Sequence, residues 1–505
     1  MAVNQLKIGA VLNYVVLGLN SLVGLLYTPY MLRMMGQSEY GLYSLVASFI
    51  SYLMIMDFGF GNAIIRYTAK FRAENKKKEQ YSMYGMFLIL YFFIGLVALG
   101  IGVGLYFNID TFLANSMTDI ERSRAKILMI ILSFNLAVTF PFGLFGSIIT
   151  AYEHFSFLKI IQILRVILST AVMICLLNYG YKAIAIAIVQ TVFNVATLIF
   201  NFLYCRYKLD IKIIFRKFRW GFLKEITIYS FWIFLNFMMD RLYWNTGQFV
   251  LGTFIGTIAV SVFSVAILLN HMYMSLSTAI SGVFLPHVTT MITKRNMNRE
   301  ISDLFIKTGR IQYIVLSYFL SCFILFGNQF ITIWAGEGYN EVYLMTLLFL
   351  LSSTPSMIQN MGVTILNARN QMKFQALLCV FIASISLIVQ IILSKYYGGI
   401  GCAIAISGSL FLGQGVIMNL YYNKVQHLDI LKFWKEIFKM SIIPIILTLT
   451  GWLALDNISL LGFERFTLAI VSYSLIYIPL FWSFGMSKYE RHLISDPIKK
   501  FIGKI

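Results

Sequence analysis

Charged residues are scarce in this sequence, and their scarcity excludes an ordinary water-soluble fold. They make up 12% of the 505 residues, whereas hydrophobic residues make up 59%. Soluble domains average about 25% charged and about 45–50% apolar residues. Apolar stretches of about twenty residues recur along the whole chain, and each is long enough as a helix to cross a hydrocarbon core about 30 Å thick. The composition predicts an all-α integral membrane protein.

Motifs for disulfide bonding, metal binding and nucleotide hydrolysis are also missing. The cysteines lie far apart in apolar stretches without a CxxC pair, at Cys175, Cys205, Cys322, Cys379 and Cys402. Neither a metal-binding histidine cluster nor a GxxxxGK phosphate loop occurs. We therefore expect free cysteines, no metal and no cofactor. Because no motif for ATP hydrolysis is present, the energy for the protein's work has to come from an ion gradient or from consumption of a product outside.

The apolar stretches predict about fourteen transmembrane helices. We place them at residues 9–31, 40–62, 83–106, 127–149, 157–177, 183–204, 223–245, 258–285, 311–334, 343–366, 374–394, 401–422, 440–455 and 466–485. The first stretch lacks a cleavage site of small residues and is predicted to be retained as a span.

Basic residues are distributed unevenly between the segments that join these spans. With the N-terminus in the cytoplasm, 31 of the 40 Lys and Arg residues fall in cytoplasmic segments and 7 fall in the opposite loops. This bias follows the positive-inside rule and predicts that both termini are cytoplasmic. It also explains most of the net charge of +19 without a nucleic-acid partner. The opposite loops are short, which leaves no room for an external catalytic domain.

A sequence motif occurs twice. LRMMGQSEYGLYSL at 32–45 matches GTFIGTIAVSVFSV at 252–265, which aligns Gly36 with Gly256 and Ser44 with Ser264 at an offset of 220 residues. Each copy precedes an even-numbered span, so a unit of six helices is repeated in the same orientation.

This repeat predicts two six-helix lobes that surround a central cavity and are related by a pseudo-twofold axis along the membrane normal. Residues 1–212 form the N-terminal lobe and residues 213–430 the C-terminal lobe. Residues 431–505 supply two additional transmembrane helices and a cytoplasmic tail. Because paired lobes of this kind work by alternating access, transport is the leading function.

Ionisable residues inside predicted spans are candidate functional groups, since a charge in the membrane is costly. Arg165 and Arg241 suit a phosphate or pyrophosphate group, because guanidinium pairs with phosphate oxygens in a bidentate manner. Asp57 and Asp240 could bind a coupling proton or sodium ion, or neutralise the arginines. Asp240 and Arg241 point about 100° apart on a regular helix and are predicted to need separate partners. For His271 we favour a hydrogen-bonded position in the core.

Asp57 lies in MDFGFGNAIIRY, where Gly59 or Gly61 can interrupt the helix. Arg66 follows in the same stretch, near the predicted cytoplasmic edge. We favour an anchor whose side chain extends to the interface, and contact with the cargo is the alternative.

Three stretches resemble the polysaccharide transporter family: TPYMLRMMGQSEYGLYSLVASF at 28–49, DFGFGNAIIRYTAK at 57–70 and DRLYWNTGQFVLGTFIGTIAVSVFSVA at 240–266. This family of O-antigen and capsule repeat-unit flippases belongs to the multidrug/oligosaccharidyl-lipid/polysaccharide exporter superfamily. The resemblance implies a flippase, not an enzyme, that moves undecaprenyl-pyrophosphate-linked oligosaccharides across a bacterial inner membrane. Its implied partners are the lipid-linked cargo, the bilayer and other membrane proteins of polysaccharide assembly.

Two other functions are alternatives. A cation-coupled multidrug exporter would share the architecture but would favour an acidic or aromatic cavity, so two deep arginines count against it. A membrane glycosyl polymerase or ligase typically needs a large external loop, and this chain has none.

Overall fold

The regular structure of the chain is helical throughout the residues that a computed structural model describes, namely 2–114, 116–215, 220–293, 298–369, 371–455 and 462–502. These residues form two compact units. Unit 1 comprises Met1–Ser264 with Ile391–Gly399, and unit 2 comprises Val265–Gln390 with Ile400–Ile505. Unit 1 thus contains the predicted first lobe together with the following helices up to residue 264, and the lobe boundaries at 212 and 430 stay a prediction.

The helices are named in chain order. Unit 1 holds α1 (Ala2–Met35), α2 (Gln37–Leu53), α3 (Phe60–Ala73), α4 (Lys77–Phe112), α5 (Asp119–Ala151), α6 (Phe155–Asn178), α7 (Ala183–Tyr207), α8 (Trp220–Trp244), α9 (Thr246–Phe254) and the start of α10 (Thr257–Thr293). Then follow α11 (Asn298–Trp334), α12 (Glu341–Ile358), α13 (Asn360–Arg369), α14 (Lys373–Leu410), α15 (Met418–Lys424), α16 (Ile430–Leu455), α17 (Phe463–Leu480) and α18 (Lys488–Ile502).

The helix count agrees with the predicted number of spans. Among the described residues, 12 helical stretches are long and apolar enough to cross a membrane. One of them, Lys373–Lys424, has 52 residues and turns at Gly398, where φ is +58°, so that it comprises two successive helices. α8 is a further helix of 25 residues, which carries Asp240 and Arg241. With α8, and with the longest stretch divided at Gly398, the described residues hold fourteen helical stretches of the length that the predicted spans require.

Both copies of the repeated motif have the same backbone feature. Gly36, between α1 and α2, has a φ of +81°, and Gly256, between α9 and α10, has a φ of +130°. Glycine adopts such angles without the steric cost that a Cβ atom brings. The alignment of Gly36 with Gly256 is therefore confirmed as two equivalent turns before a helix.

Loops of unit 1 that were predicted to share a side of the membrane meet in the structure. The Ser116 hydroxyl donates to the carbonyl of Gly252 at 2.7 Å, which joins the loops after the third and seventh spans. The Arg72 guanidinium donates to the carbonyl of Ala151 at 2.7 Å, which joins the loops after the second and fourth spans. Because successive spans cross the membrane in opposite directions, loops after odd-numbered spans share one side and loops after even-numbered spans share the other. Both contacts follow this rule.

Within unit 2, the two helices outside the repeat pack against α11. Phe305 of α11 and Phe433 of α16 are fully buried, and their ring centroids lie 4.9 Å apart. The hydroxyls of Ser317 on α11 and Tyr477 on α17 are hydrogen bonded at 3.0 Å. Apolar burial and a buried hydrogen bond thus attach α16 and α17 to α11.

Candidate functional site

A polar cavity of about 310 Å³ lies among α1, α6 and α7 of unit 1. It is lined by Asn20, Val23, Tyr27, Gln162, Arg165, Val166, Ser169, Thr170, Met173 and Gln190. The positions that α1 and α6 contribute recur every three or four residues, so each helix presents one face to the cavity. Arg165 is the charged residue of this lining, and its long side chain is held among neutral amides and hydroxyls.

The hydrogen bonds of Arg165 lead to neutral groups. Its Nη1 donates to Oδ1 of Asn194 at 3.1 Å. The amide nitrogen of Asn194 donates in turn to Oδ1 of Asn135 at 2.7 Å and to the hydroxyl of Thr139 at 2.8 Å. Within the described residues no carboxylate lies within ion-pair distance of Arg165. The guanidinium therefore keeps its positive charge at a cavity wall and attracts an anionic group.

Neutral groups of the cavity are available to a ligand. The hydroxyl oxygen of Tyr27 is buried and has no hydrogen-bond partner among the described residues. Buried polar groups are normally hydrogen bonded. Asn20, Gln162 and Gln190 add carboxamides that can both donate and accept. The sequence prediction missed these side chains, although the spacing of Gln162, Arg165 and Ser169 on one face of α6 was a usable signal.

Asp57 lies at a break in the second span. A short 3-10 turn, Met54–Asp57, separates α2 from α3, and Phe58 and Gly59 both have positive φ angles, 51° and 74°. The predicted interruption is confirmed at Gly59, whereas Gly61 lies inside α3. The Asp57 carboxylate accepts a hydrogen bond from the Tyr91 hydroxyl at 2.6 Å and others from the backbone N–H groups of Gly59 and Gly61. It therefore satisfies N–H groups at the beginning of α3.

Asp240 and Arg241 contradict one expectation. Nη1 of Arg241 lies 3.8 Å from the Asp240 carboxylate, so the prediction that these neighbours cannot pair is wrong. The flexible arginine side chain bridges the rotation between adjacent helical positions, which an argument from Cβ directions leaves out. Both side chains are partly exposed, at 31% and 46%, and neither belongs to the lining of the polar cavity.

The other two membrane candidates lie on exposed surfaces. Arg66, on α3, is exposed and outside the lining of the polar cavity. His271, on α10, is also exposed, so a position in the core is wrong for this residue. Of the five predicted site residues, Arg165 alone contributes to the polar cavity.

Comparison with solved structures shows which fold this is. Over 94% of this chain and 98% of the other, the structure matches "Lipid II flippase MurJ, inward closed conformation" with a TM-score of 0.67 and 17% identity. An inward-facing multidrug resistance MATE family transporter of the MOP superfamily matches with a TM-score of 0.64 and 15% identity, over 82% and 99% of the two chains. A MOP superfamily transporter from Pyrococcus furiosus matches with a TM-score of 0.55 and 15% identity, over 82% and 93%.

These likenesses establish the fold alone, which is the MurJ- and MATE-like transporter fold. No curated protein sequence matches the chain. The family model described as "Polysaccharide biosynthesis protein" matches residues 7–292, which is more than half of the sequence and includes the polar cavity and both copies of the repeated motif. The chain therefore belongs to the polysaccharide biosynthesis protein family.

Proposed function

We propose that this chain is a flippase that moves undecaprenyl-pyrophosphate-linked oligosaccharide repeat units from the cytoplasmic to the outer leaflet of a bacterial inner membrane. The product would serve surface polysaccharides such as O-antigen or capsule. Family membership and the fold shared with a lipid II flippase support a lipid-linked cargo. The observation that carries the proposal is the guanidinium of Arg165, which lines a polar cavity and is hydrogen bonded to a neutral amide.

In this proposal Arg165 contacts the pyrophosphate. A guanidinium has five N–H donors in a planar fork, and Asn194 uses one of them. The carboxamides of Asn20, Gln162 and Gln190 would hydrogen bond to sugar hydroxyls. Arg241 would be a secondary contact because Asp240 partly neutralises it, and Arg66 would meet the cargo near the cytoplasmic edge.

Transport would proceed by alternating access between the lobes at 1–212 and 213–430, with both termini in the cytoplasm. Asp57 or Asp240 would bind the coupling ion, a proton or sodium. Other membrane proteins of polysaccharide assembly would consume the flipped product and so maintain the direction of transport.

A cation-coupled multidrug exporter is the second candidate. The observations that favour it are the likeness to MATE transporters and the Asp57 carboxylate at a break between helices. Such a protein would bind a cationic drug at an acidic group, and it would tolerate the loss of Arg165.

The decisive experiment compares Arg165→Gln with Lys159→Gln in a host that lacks the native gene. Lys159 is on the same helix but outside the cavity lining. Because a hydrogen bond to a charged group contributes about 1.5–3 kcal/mol, Arg165→Gln should slow delivery roughly tenfold or more. Completed lipid-linked repeat units should accumulate, and surface polysaccharide should fall. Lys159→Gln should behave as the parent.

Membrane levels of both variants have to match the parent. Normal polysaccharide in Arg165→Gln would remove Arg165 from the site. The deletion strain itself, in the absence of a redundant paralogue, tests the function as a whole. Normal pools of lipid-linked repeat units in that strain would exclude the flippase and favour the drug exporter.

A further inference from the structure

A second cavity, with a volume of about 600 Å³, lies between α4 and α5 within the predicted third and fourth spans. Leu88 and Leu99 of α4 mark its ends, which are about 16 Å apart at a rise of 1.5 Å per residue. Phe92, Leu96 and Phe134 are about half exposed, so the cavity opens to the surface as a groove. The lining of this α4–α5 groove is apolar throughout and consists of Leu88, Ile89, Phe92, Gly95, Leu96, Leu99, Phe134, Ala137, Val138, Pro141, Phe142 and Phe215.

Small residues form the contact between the two helices at the groove. A Cβ atom at Gly95 would lie 2.6 Å from the carbonyl oxygen of Ala137, so the backbones of α4 and α5 touch here. Pro141 lies one turn further along α5 and has no N–H to donate to that carbonyl. Phe92 on α4 and Phe134 on α5 line the same groove with large rings. Small residues at the contact and large side chains around it therefore leave an open slot between the helices.

The segment that follows α7 closes the groove at its predicted cytoplasmic end. Phe215 of this segment belongs to the lining. The N–H of Ile214 donates to the carbonyl of Tyr81 at 3.2 Å, and a Cβ atom at Gly85 would overlap the carbonyl oxygen of Ile214. Glycine at position 85 thus lets the segment lie directly against α4. The groove consequently ends close to residue 83, where the predicted third span begins.

Basic side chains predominate at that end of the groove. The start of α4 and the end of α7 with the segment after it carry six exposed basic side chains and two acidic ones, namely Lys76, Lys77, Lys78, Arg206, Lys208 and Lys212 with Glu79 and Asp210. Tyr81 connects the two regions, since its hydroxyl donates to the carbonyl of Asp210 at 3.4 Å. Lys78, Gly85 and Phe92 recur every seven residues and so lie on one face of α4. Positive charge is therefore in line with the groove.

The chemistry of a phospholipid matches both parts of this site. The groove lies within predicted spans, where hydrocarbon replaces water, and an apolar lining offers a polar ligand no partner. Its length of about 16 Å corresponds to one leaflet, which is half of a hydrocarbon core about 30 Å thick. Basic residues at the membrane surface attract anionic headgroups.

We propose that the α4–α5 groove binds an acyl chain of an anionic phospholipid from the cytoplasmic leaflet, with the lipid phosphate beside Lys78 and Lys212. The chain fills the slot between α4 and α5 and stabilises their packing. The groove shares no residue with the polar cavity around Arg165. The lipid is thus a resident of the fold and not the cargo, and the proposal does not depend on the proposed function.

Photocrosslinking tests the proposal with the full chain in phosphatidylcholine vesicles that contain phosphatidylglycerol with a diazirine in its acyl chain. Adducts should fall mainly on peptides that cover residues 88–99 and 134–142. Unlabelled phosphatidylglycerol should displace the probe, and undecaprenyl phosphate should not. Adducts spread evenly over the membrane-facing helices would overturn the site. Displacement by undecaprenyl phosphate would overturn the choice of lipid and assign the groove to a polyprenyl tail.

A variant that fills the groove gives the second test. Ala137→Phe places a ring where the acyl chain would lie, so adducts on both groups of peptides should be lost. Val97→Phe is the matched control, because Val97 lies on α4 outside the lining and is 52% exposed. Equal labelling of these peptides in the two variants would contradict an acyl chain in the groove.

A third test leaves the groove intact and stays informative if Ala137→Phe does not fold. Because a lysine near an anionic surface contributes roughly fivefold in affinity, Lys78→Gln/Lys212→Gln should lose at least that much of the preference for phosphatidylglycerol over phosphatidylcholine. Competition between the two unlabelled lipids measures this preference. Lys432→Gln/Lys439→Gln, which removes two exposed charges from α16, should retain it. An unchanged preference in Lys78→Gln/Lys212→Gln would overturn the anionic headgroup.

Discussion

At the scale of single residues, Asp57 occupies a position that suits two roles. Its carboxylate accepts hydrogen bonds from Tyr91 and from the backbone of Gly59 and Gly61, as a residue that caps α3 would. The same carboxylate can bind a coupling ion inside the membrane. Asparagine caps a helix about as well as aspartate but carries no charge. The pair Asp57→Asn and Asp57→Ala therefore separates capping from coupling.

We expect Asp57→Asn to unfold in detergent close to the parent temperature, and Asp57→Ala to lose about 1 kcal/mol of stability with its cap. Both variants should lose the dependence of transport on an ion gradient if Asp57 binds the ion. Transport assays with and without a proton or sodium uncoupler check this expectation. An unchanged ion dependence in Asp57→Asn would leave Asp57 with the structural role alone.

The sequence identified Arg165 because an arginine deep in an apolar span has a large energetic cost and is conspicuous. It missed Asn20, Tyr27, Gln162 and Gln190, because neutral polar residues cost little in a membrane helix and their convergence depends on how α1, α6 and α7 pack. The error at Asp240 and Arg241 has a different cause. Rotation angles describe Cβ atoms, whereas a long side chain reaches beyond them.

At the scale of helices, a buried ion-pair network attaches α18 to α11 and α16. Nε and Nη2 of Arg310 donate to the two carboxylate oxygens of Glu490 at 2.5 and 3.0 Å, and Nη1 donates to Glu436 at 2.8 Å. Arg310 is 9% exposed and Glu490 2%. Removal of the arginine would leave a buried carboxylate without its counter-charge.

We predict that Arg310→Met lowers stability by about 3–5 kcal/mol, the usual effect of removing one partner of a buried pair. α18 should then be cut readily by an added protease. Thermal unfolding in detergent and limited proteolysis measure the two effects. The control is Lys432→Met, which breaks an exposed pair with Asp303 at 3.0 Å and should cost about 0–1 kcal/mol. Equal unfolding temperatures for the two variants would contradict the prediction.

Helix breaks were predictable where glycine marks them and were missed elsewhere. Gly59 was a usable signal for the break between α2 and α3. The span predicted at 343–366 is interrupted near Gln359, between α12 and α13. Pro355 lies one turn earlier and has no N–H to donate within the helix, so the proline was the signal that apolar length alone did not use.

At the scale of the whole molecule, the boundaries of the predicted repeat differ from the boundaries of the compact units. Gly36 and Gly256 both have positive φ angles immediately before a helix, as the predicted repeat requires. The compact unit nevertheless continues to Ser264, because Gly41 packs against Thr257 in the second motif copy. A repeat period is visible in sequence, whereas a contact between the copies depends on the conformation and is not.

The orientation of the whole chain gives the last prediction. Asp119, at the start of α5, and Lys76, between α3 and α4, are exposed at 91% and 55%. Their ion pairs, with Arg122 and Glu74, lie on the surface and contribute little to stability. Cysteines placed at 119 and 76 should therefore fold as the parent. Basic loops are retained on the cytoplasmic side, so we expect position 119 outside and position 76 inside.

A membrane-impermeant maleimide should label Asp119→Cys in intact cells and Lys76→Cys only after lysis. The parent protein supplies the background from its native thiols, of which Cys175 is exposed. Labelling of position 76 in intact cells would reverse the orientation. The contact among Ser38, Glu121 and Thr257 would then lie on the cytoplasmic side.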